Sequence, residues 1–487
     1  MAGVRTSGLI RDTLLYMPAQ LVAPLLQFVV TVVWTHLFNP AVYGVVAFVV
    51  AGQELTGGLG LAWWSVYLLR FRQHHADAAR FAAMDARVVA AGAASQIVFA
   101  VPTLALVGIA PSPTLFLAAA AYLASRAVLN HYGEVARSYH RIGVYTLAQL
   151  SSPVLGSGLS IAAAILLNAD AATALAAMAI GQTLGIGLTS LGLGRPLRLG
   201  RFDAAIFREA RRFSVPLIFS GLFAWTASNG VRVLVGAGEG VAGVGLFSVG
   251  WGLGQRLATM LASLCAVASF PLAVDRLEAG DRDGALRQVS LNGALMFGLM
   301  APAVVGVALL AGPFVRLAVA EQFRTQTIVI LPLAVLAGAA RALRVHTGDQ
   351  AAILMQRTRA MSAFNLVDAV LALAGGALGE SFGSVVGAAV GCLAGTVVAS
   401  VAAMAFVVAR MGLRLPLAAL AAALAASAIM GVALRLMPAP HSYAGLTGDI
   451  IAGMLIYIAA ILALFAPARR AAGASFALLG ERRRLGR

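Results

Sequence analysis

Arg126, Arg232, Arg256, Arg341 and Arg344 lie inside stretches that are otherwise long and apolar, where charge is costly and usually faces a bundle interior or a hydrated cavity. A guanidinium carries a planar fork of donors that grips carboxylate or phosphate oxygens bidentately, so arginines set away from bulk water suit an anion. Arg126 stands about 11 residues, roughly 16 Å by helical rise, before Arg137, too deep to mark only a boundary. Tyr122, Arg126, Asn130, Glu134 and Arg137 share one helical face. That face reads as a cavity wall, or as a structural ion pair of Arg126 with Glu134 or with another helix. Trp225, Asn229 and Arg232 align in the same way, Gln255 and Arg256 sit in mid-stretch, and Arg341 and Arg344 are one turn apart, with His346 and Asp349 beyond. Arg344 has the alternative of snorkelling to an interface.

A second stripe joins Tyr16, Gln20, Gln27, Thr31 and Trp34. It offers hydroxyl, amide and aromatic surface to a sugar, or else hydrogen bonds between packed helices. The candidate substrate-binding set is therefore Arg126, Arg232, Arg256, Arg341, Arg344, Asn130, Asn229, Gln20, Gln27 and Trp34. Glu54, Asp349 and Asp368 are the candidates for ion coupling, with capping or arginine pairing as the competing roles. Nothing reads as catalysis or as a cofactor or metal site. Neither His-Glu-x-x-His nor a nucleophile elbow is present, and Gly230 to Gly245 lacks the strand and Lys of a phosphate loop. Cys265 and Cys392 lie apart in apolar stretches and suit packing.

The elements that must hold these residues are membrane helices. The chain is 60% hydrophobic and 11% charged, with mean hydropathy +0.89, far from a soluble domain. About 14 apolar segments are each long enough to cross a bilayer, and without two-residue alternation they are helices. The expected spans are 13–36, 43–69, 88–109, 113–135, 145–167, 172–194, 213–236, 241–273, 289–311, 328–350, 361–380, 384–408, 416–436 and 449–466. All 35 basic residues are Arg. Placing the N-terminus in the cytoplasm puts 26 of them inside and only Arg316, Arg324 and Arg435 outside, as the positive-inside rule requires. Both termini are then cytoplasmic, the first span is an uncleaved anchor, and Ala2 excludes myristoylation. The net charge of +16 is mostly this topology signal and no sign of nucleic-acid binding.

The two halves resemble each other. Tyr16-Met17-Pro18 opens a span and leads through Asn39-Pro40-Ala41-Val42-Tyr43-Gly44 into the next helix; Ser214-Val215-Pro216 leads through Gly240-Val241-Ala242-Gly243-Val244-Gly245 into another. Six helices lie between the copies, so both run the same way, a parallel repeat of the kind used by carriers with a site between two bundles. Coincidence of Pro and Gly in a Gly-rich chain is the competing explanation. The expected divisions are a six-helix bundle at 1–200, a second at 201–408, and an extra helix pair with a basic tail at 409–487.

These motifs, with Arg212-Phe213-Ser214-Val215-Pro216, Gly243-Val244-Gly245-Leu246-Phe247, Ser269-Phe270-Pro271, Asn365 and Gly383 to Gly387, resemble bacterial polysaccharide flippases of the multidrug/oligosaccharidyl-lipid/polysaccharide exporter superfamily. The resemblance covers roughly residues 8–415, and each motif alone is loose. One departure stands out: relatives often carry an acid before the Arg of the seventh helix, where this chain has Asn229-Gly230-Val231-Arg232. The resemblance implies no enzyme and no cofactor. It implies a flippase of the bacterial cytoplasmic (inner) membrane that moves a polyprenyl-pyrophosphate-linked oligosaccharide outward for surface or exopolysaccharide synthesis, by alternating access around an arginine-lined cavity. Polysaccharide polymerase and chain-length proteins are candidate partners. A drug or cation antiporter of the same superfamily is disfavoured because mid-span Arg outnumbers mid-span acid. A membrane polymerase or ligase is disfavoured because the longest outer loops, near 312–327 and 437–448, are short.

Overall fold

Backbone N–H and C=O groups have no partner in hydrocarbon, so each apolar run closes its own hydrogen bonds as a helix. The computed structural model describes residues 21–72, 78–106, 108–109, 112–194 and 202–470, and among them there is no strand. The helices are α1 Leu21–Leu37, α2 Pro40–Phe71, α3 Ala78–Ala105, α4 Pro113–Ser138, α5 Ile142–Leu166 and α6 Ala171–Leu193. They continue as α7 204–239, α8 241–278, α9 Arg282–Ala318, α10 Glu321–Leu354, α11 Thr358–Ser381, α12 Val385–Met411, α13 Leu417–Leu436 and α14 Tyr443–Leu464.

Among the described residues, 11 helices are long and apolar enough to cross a membrane, with α7 and α8 counted as one. The described part of α1 is shorter, and α4 carries Arg126, Glu134 and Arg137. The protein is an all-α, polytopic membrane protein. Its helices outrun the apolar windows because polar ends extend them: α9 starts at Arg282 rather than near 289, and α10 at Glu321 rather than near 328.

Local chemistry fixes the corners. Asn39 caps α2, its Oδ1 accepting from Val42 N at 2.9 Å, with Pro40 at the first helical position. Ser112 and Pro113 open α4 in the same way, and Asp170 Oδ1 caps α6 through Thr173 N at 2.8 Å. The polar stretch 195–212, left between the expected spans 172–194 and 213–236, is helical from Ala204 onward. Asp203 caps it through Ala205 N at 2.9 Å, and Ile206 and Ala210 bury one face against Trp64, Tyr67 and Met84. Arg208, Glu209, Arg211 and Arg212 are good helix formers on such an amphipathic turn. Residues 195–201, with Pro196 and Gly200, and the segment Tyr16-Met17-Pro18 lie outside the described residues.

The chain divides into two compact units. The first comprises residues up to 256, 319–334 and 358–400. Within it the repeat has a physical expression: a Cβ on Gly44 would lie 2.0 Å from Val241 O, and one on Gly245 would lie 1.9 Å from Pro40 O. Each glycine meets the backbone four residues before the other, so the starts of α2 and α8 cross as a local two-fold pair. Gly240, at φ +67° and ψ −171°, breaks α7 from α8 so that this crossing can form. Gly375 and Gly379 of α11 interlock with Gly391 and Gly387 of α12 at similarly close range, and Gly395 meets the Leu371 backbone, small-residue packing typical of membrane helices.

The second unit comprises, among the described residues, 257–318, 335–357 and 401–470. There α13 and α14 dock on α9: Gly431 faces Val305, Tyr457 Oη donates to Gly298 O at 2.5 Å, and Tyr443 Oη donates to Leu317 O at 2.6 Å.

Candidate functional site

The polar centre of the first unit is built on α2. Glu54 is the fifteenth residue of that helix, about 21 Å by rise from Pro40, yet its side chain is exposed, lining a crevice of about 160 Å³ between α2 and α7. Charge at that depth in an apolar helix calls for a hydrated or charged neighbourhood, and three arginines share it with Glu54. Arg232, Arg126 and Arg256, from α7, α4 and α8, all act electrostatically on Glu54. Asn229 bridges: its Nδ2 donates to Glu54 Oε2 at 3.5 Å, and its Oδ1 accepts from Arg232 Nη1. Arg232 is 9% exposed, and its Nε donates to Ser248 Oγ at 3.1 Å. Arg256 donates to Thr31 Oγ1, which itself donates to Gln27 O at 2.9 Å. Trp225 Nε1 donates to Ala51 O at 2.8 Å, tying α7 to α2 one turn from Glu54. Three guanidinium groups against one carboxylate leave a surplus of positive charge, an arrangement able to hold an anion.

A polar chain leads away through α4, α5 and α6. Tyr122, beside Arg126, bonds Gln182, which accepts from Ser125 Oγ at 2.7 Å and donates to Ser152 Oγ at 3.3 Å. Ser152 opens a π-helical turn, Ser152–Gly156, and another, Gly58–Ala62, follows Glu54 on α2. Such turns free a carbonyl and are frequent at functional sites; here Gln96 Nε2 of α3 takes Thr56 O at 3.1 Å.

The structure therefore brings Arg126, Asn229, Arg232, Arg256 and Glu54 together. Gln27 is half-buried beside them on α1, and Asn130 is half-buried one turn beyond Arg126. Trp34 is 6% exposed and packs against Phe38 and Tyr43 at 6.0 and 6.4 Å between centroids. Asp368 is fully buried in α11, and Gln20 lies outside the described residues. Arg344 and Asp349 fall in the second unit, where a third π-helical turn, Arg344–Asp349, sets them 3.4 Å apart. Arg344 is 1% exposed and Arg341, a turn earlier, is half-buried. Glu134 sits 3.4 Å from Arg137 on its own helix.

Sequence reasoning missed a second polar cluster of the first unit. His131 Nδ1 is 2.8 Å from Ser65 Oγ and its Nε2 is 3.0 Å from Asp85, which accepts from Trp64 Nε1 at 2.6 Å. Its members come from α2, α3 and α4 and share no spacing that a sequence displays. Among the described residues no His, Cys, Asp or Glu group is arranged to hold a metal.

Helices of this length and apolarity around a charged centre define a polytopic membrane protein. A family model described as "Polysaccharide biosynthesis protein" matches residues 33–327. The chain belongs to that family. In fold it is similar to the lipid II flippase MurJ in an inward closed conformation, with TM-score 0.76 at 12% identity over 93% of this chain and 99% of that one. The Vibrio cholerae MATE transporter VcmN in its bent form matches with TM-score 0.51 at 17% identity over 87% and 98%. An inward-facing multidrug resistance MATE family transporter of the MOP superfamily gives 0.51 at 16% over 81% and 94%. A search of curated proteins gives no match in sequence. The family match and these likenesses fit a multi-pass membrane protein whose fold is that of MurJ and the MATE transporters.

Proposed function

We propose that the protein is a flippase translocating a polyprenyl-pyrophosphate-linked oligosaccharide across the bacterial cytoplasmic membrane for surface or exopolysaccharide synthesis. The observation that carries this reading is the polar centre in which Glu54 meets Arg232 through Asn229 and Arg256 bonds Thr31, with more guanidinium than carboxylate around it. A site for drug cations calls for excess acid, whereas a pyrophosphate calls for excess Arg. In this reading Arg126, Arg232 and Arg256 hold the anionic headgroup, Asn130, Asn229, Gln20, Gln27 and Trp34 contact sugar, and Arg341 and Arg344 are further substrate-binding residues of the second half. Glu54 offsets the mutual repulsion of the arginines when the site is empty and is the leading ion-coupling candidate, ahead of Asp349 and Asp368. The acid that relatives often place before the seventh-helix Arg is replaced here by Glu54, reached through Asn229.

The halves 1–200 and 201–408 act as the two moving bundles, with 409–487 as an accessory. The termini are cytoplasmic, and polymerase and chain-length proteins are the partners. A deletion strain should accumulate a polyprenyl-pyrophosphate-linked glycan that the wild-type gene clears; unchanged lipid-linked glycans would refute the proposal.

A further inference from the structure

A groove of about 550 Å³ lies beside the site just described, wholly within the first unit. Ala90 and Ala91 on α3 are small, exposed residues of its lining, and Gly60 and Gly92 let α2 and α3 pack in close contact beside them. Its walls are Trp63, Phe99, Phe202 and Phe207. Along α3 it runs from Arg87 to Phe99, about 18 Å by helical rise. Only the Arg87 end is charged, and Arg87 is exposed there. That end lies toward the arginine-rich side with the start of α7, the side that the proposed topology makes cytoplasmic.

A narrow apolar channel with one cation at the interfacial end matches a single-chain lipid with an anionic head, lying as an inner-leaflet lipid lies. The groove is also continuous with the polar centre. Leu59 and Trp63 line both the groove and the crevice that holds Glu54. Trp63 is the partition: its indole donates to Gly60 O at 3.3 Å and packs edge-on against Phe207 at 5.9 Å.

Resting on the proposed function, we infer that this groove is a loading site for the polyprenyl chain of the lipid-linked substrate. Its phosphate sits at Arg87 before the headgroup passes Trp63 to the arginine cluster. The groove has room for one chain, so a branched isoprenoid fits it better than a two-chain phospholipid.

The test uses the full chain in phosphatidylethanolamine–phosphatidylglycerol nanodiscs with a diazirine-bearing polyprenyl diphosphate as probe. Cross-links should map to α3 between Ala90 and Phe99 and to Phe207. Ala91→Trp, at an exposed position where the ring fills the groove without entering the core, should cut labelling at least about fivefold. Arg87→Glu should do the same, since losing a charge-assisted contact is worth about a tenfold change in affinity. Unlabelled polyprenyl diphosphate should compete, and excess phosphatidylglycerol should not. Competition by phosphatidylglycerol, equal labelling by the uncharged prenyl alcohol, or labelling indifferent to both substitutions would overturn the inference. Such a result with glycan export still dependent on Arg126 and Arg232 sinks the groove alone. Loss of that dependence as well sinks the reading beneath it.

Discussion

At the scale of residues, function turns on which carboxylate the mid-helix arginines answer to. Glu134, which shares a helical face with Arg126, lies 3.4 Å from Arg137, while Glu54 of α2 is met through Asn229 by Arg232, with Arg126 among the charges around it. If the cluster holds an anionic headgroup, Arg126→Ala or Arg232→Ala should abolish export while leaving protein abundance near normal. One charge-assisted contact is worth about 1.5–3 kcal/mol, or ten- to a hundredfold in affinity. Lys should rescue in part, keeping charge but losing the fork. Should the arginines serve only to neutralise Glu54, an Arg126→Ala, Glu54→Ala double variant would export normally. Reduced abundance in the single variants together with normal export in the double would defeat the substrate-site reading. The arginines themselves were visible in the sequence because charge in an apolar run is conspicuous. Their partners were not, because Glu54 and Asn229 are brought together over a separation of 175 residues, which no helical spacing encodes.

At the scale of elements, the sequence repeat becomes a backbone crossing. Gly44 and Gly245 have no room for a side chain, so Gly44→Ala and Gly245→Ala should each lower the thermal midpoint of the detergent-solubilised protein. Overpacking of this kind costs about 1–3 kcal/mol, occasionally more. Gly158→Ala, where a Cβ meets nothing within 4 Å, should leave the midpoint unchanged or raise it; equal effects at all three positions would contradict the crossing. Helix number and order were legible because hydropathy reports them directly. The π-helical turns at Gly58–Ala62, Ser152–Gly156 and Arg344–Asp349 were not, since one extra residue in a turn leaves the apolar pattern intact. The helical start at Ala204 was hidden for the opposite reason: its many charges read as loop although Ile206 and Ala210 give it a buried face.

At the scale of the whole molecule, arginine asymmetry sets the proposed orientation. A reporter fused after Arg487 should be active only as a cytoplasmic-type fusion, and robust periplasmic activity there would reverse the topology. Co-expressing 1–200 with 201–487 should restore part of the export if the halves act as bundles; failure with both pieces stably inserted would count against that division. The central claim is that this chain itself carries a lipid-linked glycan across a bilayer with its arginine cluster. The most direct measurement reconstitutes the purified chain in vesicles whose inner leaflet holds a labelled polyprenyl-pyrophosphoryl oligosaccharide, and follows its appearance outside with an impermeant glycosidase. The account predicts protein-dependent exposure of the label that falls at least about tenfold in Arg232→Ala, in line with the loss of one charge-assisted contact. Exposure no faster than in protein-free vesicles, or undiminished by Arg232→Ala, would contradict it.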